Sequence, residues 1–225
     1  SISRALKQNN TMQVKTVFSH LAGSEQAGLD EFTLEQASLF EQAADQVASI
    51  LAYPFLKHIS NTAAIFRYPQ LQYQMVRLGI GLYGVDPVNE QALSLQPVST
   101  LKSTIAQIRA VAKGQSVGYG RNAFMKKDSR IATIRIGYAD GFGRELGNGK
   151  ASVWVNGQLA PVVGNVCMDM TMIDVTEISE VKEGDQVEIF GTHLAVQQLA
   201  QWAGTIPYEI LTSISQRVKR VYLEE

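Results

Sequence analysis

The stretch ASVWVNGQLAPVVG, Ala151 to Gly164, reads as two short strands joined by Asn156-Gly157. Asn-Gly supplies the two left-handed positions that a type I′ turn requires, and the flanking apolar residues mark a tight antiparallel hairpin. Working outward, similar short runs recur between turn residues. They are STIAQIRAVAKG (Ser103–Gly114), SRIATIRIG (Ser129–Gly137), MTMIDVT (Met170–Thr176) and DQVEIFG (Asp185–Gly191), the last preceded by the turn Lys182-Glu183-Gly184-Asp185. NVCMDM, Asn165 to Met170, reads as a further strand of mixed apolar and acidic residues, and the tail QRVKRVYL as a final one. One helix is predicted over His193–Trp202, with Gly204 just past its end. The expectation is a mostly antiparallel β domain over 97–225.

Towards the amino terminus the texture changes. QVKTVFS, Gln13 to Ser19, is strand-like and ends at His20. Glu31 to Leu51 carries apolar residues at helical spacing, and Pro54 lies just beyond. FLKHIS reads as a second strand, Asn61 or Thr62 as the cap of a short helix TAAIF, and RLGIGLYG (Arg77–Gly84) as a third, glycine-rich strand. Alternating strand and helix predicts parallel β/α units over 1–90. Three such units cannot close a parallel barrel, which takes eight strands. The boundary is expected near Val88–Pro97, where polar residues cluster between two prolines.

Composition limits the function. The 225 residues carry 20 Lys+Arg against 21 Asp+Glu, a net charge of -1, which argues against a nucleic-acid partner. One cysteine, Cys167, excludes an internal disulfide framework, and with three histidines it argues against a structural zinc site. No apolar run reaches a membrane span, and no signal-peptide pattern is visible in this sequence. A cytoplasmic, membrane-free protein is the expectation.

Several residues have both a chemical and a plainer reading. His20 ends a predicted parallel strand, where α/β proteins bind ligands, or is a hydrogen-bonded loop histidine. His58-Ile-Ser-Asn-Thr62 offers a hydroxyl and backbone N–H groups to an anion, or only a helix cap. Arg77 among apolar residues needs partners if buried, or lies at a surface edge. Gly79, Gly81 and Gly84 spell a dinucleotide fingerprint in the wrong context, because Asp86-Pro87 follows where a helix is needed. Tyr119 between Gly118 and Gly120, and Tyr138 in IGYADG, are exposed phenols or turn-packing residues; a phenol acts as a base only if its pKa is lowered from about 10. Cys167 has no base beside it and reads as a small buried apolar side chain.

Taken in order, these segments resemble the alanine racemase family. The matches are H-L-A at His20, H-x-x-N-T at His58, R-x-G-I-x-L-Y-G at Arg77, V-G-Y-G-R at Val117 and I-G-Y-A-D-G-F at Ile136. G-x-V-C-M-D-M at Gly164 and Y-E-I-L at Tyr208, leading into R-V-x-R-V-Y at Arg217, complete them. The resemblance implies the last part of a (β/α)8 barrel followed by a mostly antiparallel β domain. It implies pyridoxal 5′-phosphate as cofactor, a small amino-acid substrate, and production of D-alanine for peptidoglycan.

The resemblance also implies roles. Thr62, with the N–H groups of Gly79 and Ile80 and the phenol of Tyr208, would hold the cofactor phosphate. Arg77 would face the pyridine nitrogen, and His20 would bridge Arg77 to Tyr119, the acid/base on one face of the substrate. Met168 would offer its N–H to the substrate carboxylate and Tyr138 would narrow the entrance. Tyr119, Tyr138 and Met168 would act in the partner's site of a homodimer.

The family's cofactor lysine lies in K-x-N-A-Y-G-H-G, and none of the ten lysines here has that context. The family's substrate-binding arginine also belongs to the part not matched. The opening SISRALKQNN reads as the middle of a barrel, so the chain is expected to be the carboxy-terminal portion of a racemase and inactive alone. The competing expectations are a non-catalytic dimerisation or ligand-binding module, and a racemase for serine or another small amino acid.

Overall fold

A computed structural model describes residue 5 and residues 11–88 and 95–223. The chain divides into two compact units, Ser1–Gln96 and Pro97–Glu225. Most of the expected boundary stretch between Val88 and Pro97, and most of the opening decapeptide, lie outside the described residues.

In the first unit β1 (Thr16–Phe18) and β2 (Leu56–His58) pair in parallel, with Phe18 opposite His58. The crossover between them is α1 (Asp30–Ala48), which buries Thr33, Ala37, Phe40 and Ala44 along one stripe. Ala37 and Phe40 pack with Leu21, Ile59, Ala64, Tyr68 and Leu71 in one apolar cluster. Of the two expected caps of the short α2 (Thr62–Arg67), Asn61 and Thr62, it is Asn61 that accepts a hydrogen bond from the Ala64 N–H. Asp30 at the start of α1 accepts from the Tyr68 phenol and the Arg67 guanidinium, both at 2.6 Å. The Tyr68 bond first, then the Arg67 bond, hold its carboxyl below the usual range.

The expected third strand is not one. Ile80–Tyr83 form a single 3-10 turn, closed by Gly84 in the left-handed region at φ 75°. Gly79 leaves the extended region with ψ -103°, and the N–H groups of Gly79 and Gly81 turn towards the Thr62 hydroxyl instead of a ladder.

The second unit is built on a closed antiparallel barrel. Its strands are β3 (Leu101–Val111), β6 (Ser129–Ile134), β7 (Ser152–Val155), β8 (Gln158–Val163), β9 (Thr171–Asp174) and β10 (Gln186–Phe190), in the order β10-β3-β6-β9-β8-β7. The Glu188–Trp154 pairing of β10 with β7 closes the ring. Register shifts at Ile105/Gln107 and Glu188/Phe190 supply the local bends that closure of a small barrel needs. Alternate residues point inward, so Ile105, Val153, Val155, Val162, Ile173, Val187 and Ile189 are buried. Asn156 at φ 44° and Gly157 at φ 84° form the expected hairpin turn.

A side hairpin of β4 (Ser116–Val117) and β5 (Ala123–Phe124) leaves the barrel, and α3 (Val196–Ala203) and α4 (Pro207–Ser213) follow β10. The helix α3 begins three residues later than expected and ends at Gly204 in the left-handed region. Two other expected strands are loops. In Asn165–Met170 the Cys167 and Met168 carbonyls bond to the loop at Tyr138 and Ala139, so no ladder forms. The tail Gln216–Leu223 is irregular because Arg220 takes the carbonyls of Ile214, Ser215 and Val218 at 3.0–3.1 Å.

Candidate active site

Each unit gathers one group of the residues in question. In the first unit the centre is Arg77. Its Nη1 lies 2.8 Å from His58 Nδ1; its Nη2 donates to the Ser19 and Ile59 carbonyls at 2.9 and 3.2 Å and lies 3.3 Å from His20 Nδ1. The guanidinium also sits 5.5 Å over the Phe18 ring, which stacks on His58 at 5.2 Å. Parallel pairing sets this up, because register places Phe18 beside His58 at the carboxyl ends of β1 and β2.

Among the described residues no carboxylate pairs with Arg77. A guanidinium cannot accept, so His58 Nδ1 must carry the lone pair and the ring is the neutral Nε2–H form. Burial, and then the Arg77 charge, push His58 below its ordinary 6.5. The cluster therefore holds one cation against neutral acceptors only. His58, which the sequence reading treated as part of an anion motif, is the nearest of them.

Thr62 is fully buried, and its Oγ1 accepts from the N–H of Gly79 at 3.0 Å and of Gly81 at 3.4 Å. With two donors arriving, the hydroxyl proton remains available to an incoming acceptor. Close packing requires glycine at 81: a Cβ there would meet Thr62 Cγ2 at 2.9 Å and Leu78 Cδ1 at 2.8 Å. The Gly79 N–H is thus directed at Thr62. The Ile80 N–H has no hydrogen-bond partner among the described residues.

In the second unit Tyr119 opens a tight turn after β4, between Gly118 at φ 80° and Gly120 at φ 75°, and is 76% exposed. Its carbonyl accepts from Asn165 Nδ2 at 2.9 Å. Tyr138 and Met168 sit on two loops fastened together. The N–H groups of Tyr138 and Ala139 donate to the carbonyls of Cys167 and Met168, each at 3.0 Å. Tyr138 and Met168 are both exposed, and the Met168 N–H is unengaged among the described residues. Cys167 is half-buried, and burial raises its thiol pKa. Tyr208 lies in the first turn of α4.

The sequence reading assigned no role to Arg217, yet it ties these loops together. Its Nε donates to Asp140 Oδ1 at 2.7 Å and its Nη2 to Asp169. No local signal points to this link, because it joins residues 77 and 48 positions apart.

Two family models match the chain, the alanine racemase amino-terminal domain over residues 1–87 and the carboxy-terminal domain over 98–222. Alanine racemase 1 of Clostridium acetobutylicum is 38% identical over 94% of this chain and 56% of its own length. The alanine racemase of Sorangium cellulosum is 36% identical over 100% of this chain and 61% of its own. Two solved structures are similar. The Bartonella henselae alanine racemase with covalently bound pyridoxal phosphate gives a TM-score of 0.87 at 34% identity, covering 98% of this chain and 61% of that one. The Clostridium difficile 630 alanine racemase in complex with cycloserine gives 0.88 at 36%, covering 98% and 59%. The chain thus spans about three fifths of the length of these relatives.

Proposed function

The chain belongs to the alanine racemase family, and from that premise we propose that the whole protein interconverts L- and D-alanine with pyridoxal phosphate as cofactor. The observation that carries this reading is the setting of Arg77, a cation held by imidazole nitrogens and carbonyls with no carboxylate beside it among the described residues. When bound, pyridoxal phosphate supplies an electron sink for the bond between the substrate Cα and its hydrogen. Arg77 would hold the ring-nitrogen end of the cofactor, and its positive charge would disfavour a proton on that nitrogen.

The residues present suit the cofactor at both ends. The Thr62 hydroxyl accepts from the Gly79 and Gly81 N–H groups, which leaves its proton to be donated, and it would give that proton to the phosphate. The Ile80 N–H would add a second donor to that cradle, with Gly79 lining it. Tyr119 holds and returns a proton at its phenol oxygen on one face of the substrate Cα, and His20 links it to Arg77. The Met168 N–H binds the substrate carboxylate and Tyr138 limits side-chain size.

In this reading two protomers form a homodimer, and Tyr119, Tyr138 and Met168 of each complete the site of the other. The opposite face of the substrate needs a lysine in the family's cofactor motif, which this chain does not contain. Residues 1–225 alone are therefore expected to be inactive. D-alanine for peptidoglycan, made in the cytoplasm, is the physiological output under this reading. No helix among the described residues is long and apolar enough to cross a membrane.

The test is D-alanine formation from L-alanine by the whole protein with added cofactor, beside cofactor affinity measured by fluorescence quenching. Racemisation of L-alanine, lost in Arg77→Glu while cofactor still binds, is the expected result. Racemisation of serine in preference to alanine, or cofactor binding with no racemisation, overturns it.

A further inference from the structure

The loops Gly137–Gly141 and Asn165–Met170 carry Tyr138 and Met168, and their spacing sets the gap between an aromatic wall and a backbone donor. Three features fasten them. The first is the pair of hydrogen bonds from the Tyr138 and Ala139 N–H groups to the Cys167 and Met168 carbonyls. The second is contact so close that Gly137 has no room for a Cβ, which would lie 2.2 Å from the Cys167 carbonyl oxygen and 2.4 Å from that of Met168.

The third feature is Arg217, and it comes from neither loop. Its Nε reaches Asp140, two residues after Tyr138, and its Nη2 reaches Asp169, the residue after Met168. The Asp140 carboxylate is itself fixed, since its Oδ2 accepts the Gly137 N–H at 2.9 Å and its side chain is largely buried. The tail that bears Arg217 is anchored to the same loop by the Ser215 N–H on the Asp140 carbonyl at 3.1 Å. One planar guanidinium with fixed donor directions thus spans both loops and sets the distance between two carboxylates. The bonds to Asp140 and then to Asp169 raise its pKa further above the ordinary arginine value.

An ion pair this exposed contributes little to global stability. What it fixes is geometry. We propose that Arg217 is a positioning residue that holds the Tyr138 and Met168 loops at the spacing that admits a small amino acid and seats its carboxylate. The role of those two residues in binding rests on the racemase reading; the clamp itself does not.

The experiment compares Arg217→Leu, Arg217→Lys and Asp169→Asn in the whole protein by two measurements. The first is amide hydrogen exchange at Tyr138 and Ala139, read without cofactor or substrate. The second is steady-state kinetics with L-alanine and with L-serine. The expected result is several-fold faster exchange at both amides in Arg217→Leu, with the melting temperature nearly unchanged. KM for L-alanine rises several-fold, kcat falls less, and discrimination against serine weakens. Lysine keeps the charge but not the fork, so Arg217→Lys should recover only part of the loss. Exchange unchanged in both Arg217→Leu and Asp169→Asn overturns the clamp, as does full recovery by lysine. A fall in kcat with KM unchanged overturns the positioning role. Absence of racemisation in the unsubstituted protein overturns the racemase reading alone, and the exchange measurement then decides the clamp.

Discussion

Arg77 Nη1 lies 2.8 Å from Nδ1 of His58, and the imidazole can meet a guanidinium there only as the neutral tautomer. Burial and the Arg77 charge set its folded pKa below 6.5. The unfolded chain therefore binds a proton near pH 6.5 that the folded chain refuses until lower pH. His58 contributes stability above about pH 6.5, and the contribution is lost as pH falls through the folded value. In His58→Asn an amide oxygen replaces the accepting nitrogen without titrating. Urea midpoints measured from about pH 8 to pH 5 should fall more steeply in the unsubstituted protein than in the variant. Parallel curves would show that His58 is not held neutral.

Thr62 gives a separate handle on the phosphate end. Valine has the same shape without the oxygen, so Thr62→Val leaves the Gly79 and Gly81 N–H groups without their acceptor. Both N–H groups lie in a partly open turn, so the expected loss is about 1–3 kcal/mol and not the full cost of two buried donors. Thr62→Ser keeps the oxygen and loses one methyl group, about 1 kcal/mol. Denaturant titration should rank the unsubstituted protein above Thr62→Ser and that above Thr62→Val. Phosphate or pyridoxal phosphate affinity should drop for valine and hold for serine.

Two glycines separate steric from conformational demand. Gly137 has an ordinary extended φ of -152°, yet a Cβ there would collide with two carbonyls of the neighbouring loop. Gly157 has φ +84° and nothing within 4 Å of its Cβ position. Gly157→Ala should cost about 1–2 kcal/mol of backbone strain. Gly137→Ala must part the Tyr138 and Met168 loops and should cost about 3 kcal/mol or more. Thermal melts of the two variants check the order, and equal losses would refute the close contact.

Legibility followed the range of the physics. Asn156-Gly157 and the Asn61 cap were readable because the deciding chemistry lies within four residues. The short runs that became β7 and β9 are readable for the same reason, while which of their residues face inward is seen only in the structure. Closure of the barrel was not, since the pairing of Glu188 with Trp154 depends on long-range register. Arg77–Gly84 has the apolar character of a strand, but a hydroxyl 17 residues upstream captures the Gly79 N–H. The tail from Gln216 has the valines and tyrosine of a strand, and its Arg217 instead answers carboxylates at 140 and 169. Family motifs mark the candidate residues one by one, while the contacts that orient them, His58 on Arg77 and Arg217 on the two loops, appear only in three dimensions.

In the racemase reading Tyr119 and Arg77 serve one site but come from two chains. The phenol is 76% exposed on a turn held open by two left-handed glycines, which suits a side chain offered to another molecule. If each site takes its tyrosine from the partner, two different inactive variants should repair each other. In the whole protein, Tyr119→Phe keeps an intact cofactor side and Arg77→Glu keeps an intact tyrosine. A mixed dimer of the two then contains one wholly unsubstituted site and one doubly substituted site. With random pairing of equal amounts, half the dimers are mixed, and racemisation should return to about a quarter of the unsubstituted rate. Each variant alone should remain near the background. If a single chain supplies both residues, co-refolding the variants restores nothing, because every site then carries one substitution. The readout is D-alanine formation before and after subunit exchange. Recovery that tracks the fraction of mixed dimers is the outcome that composite sites require.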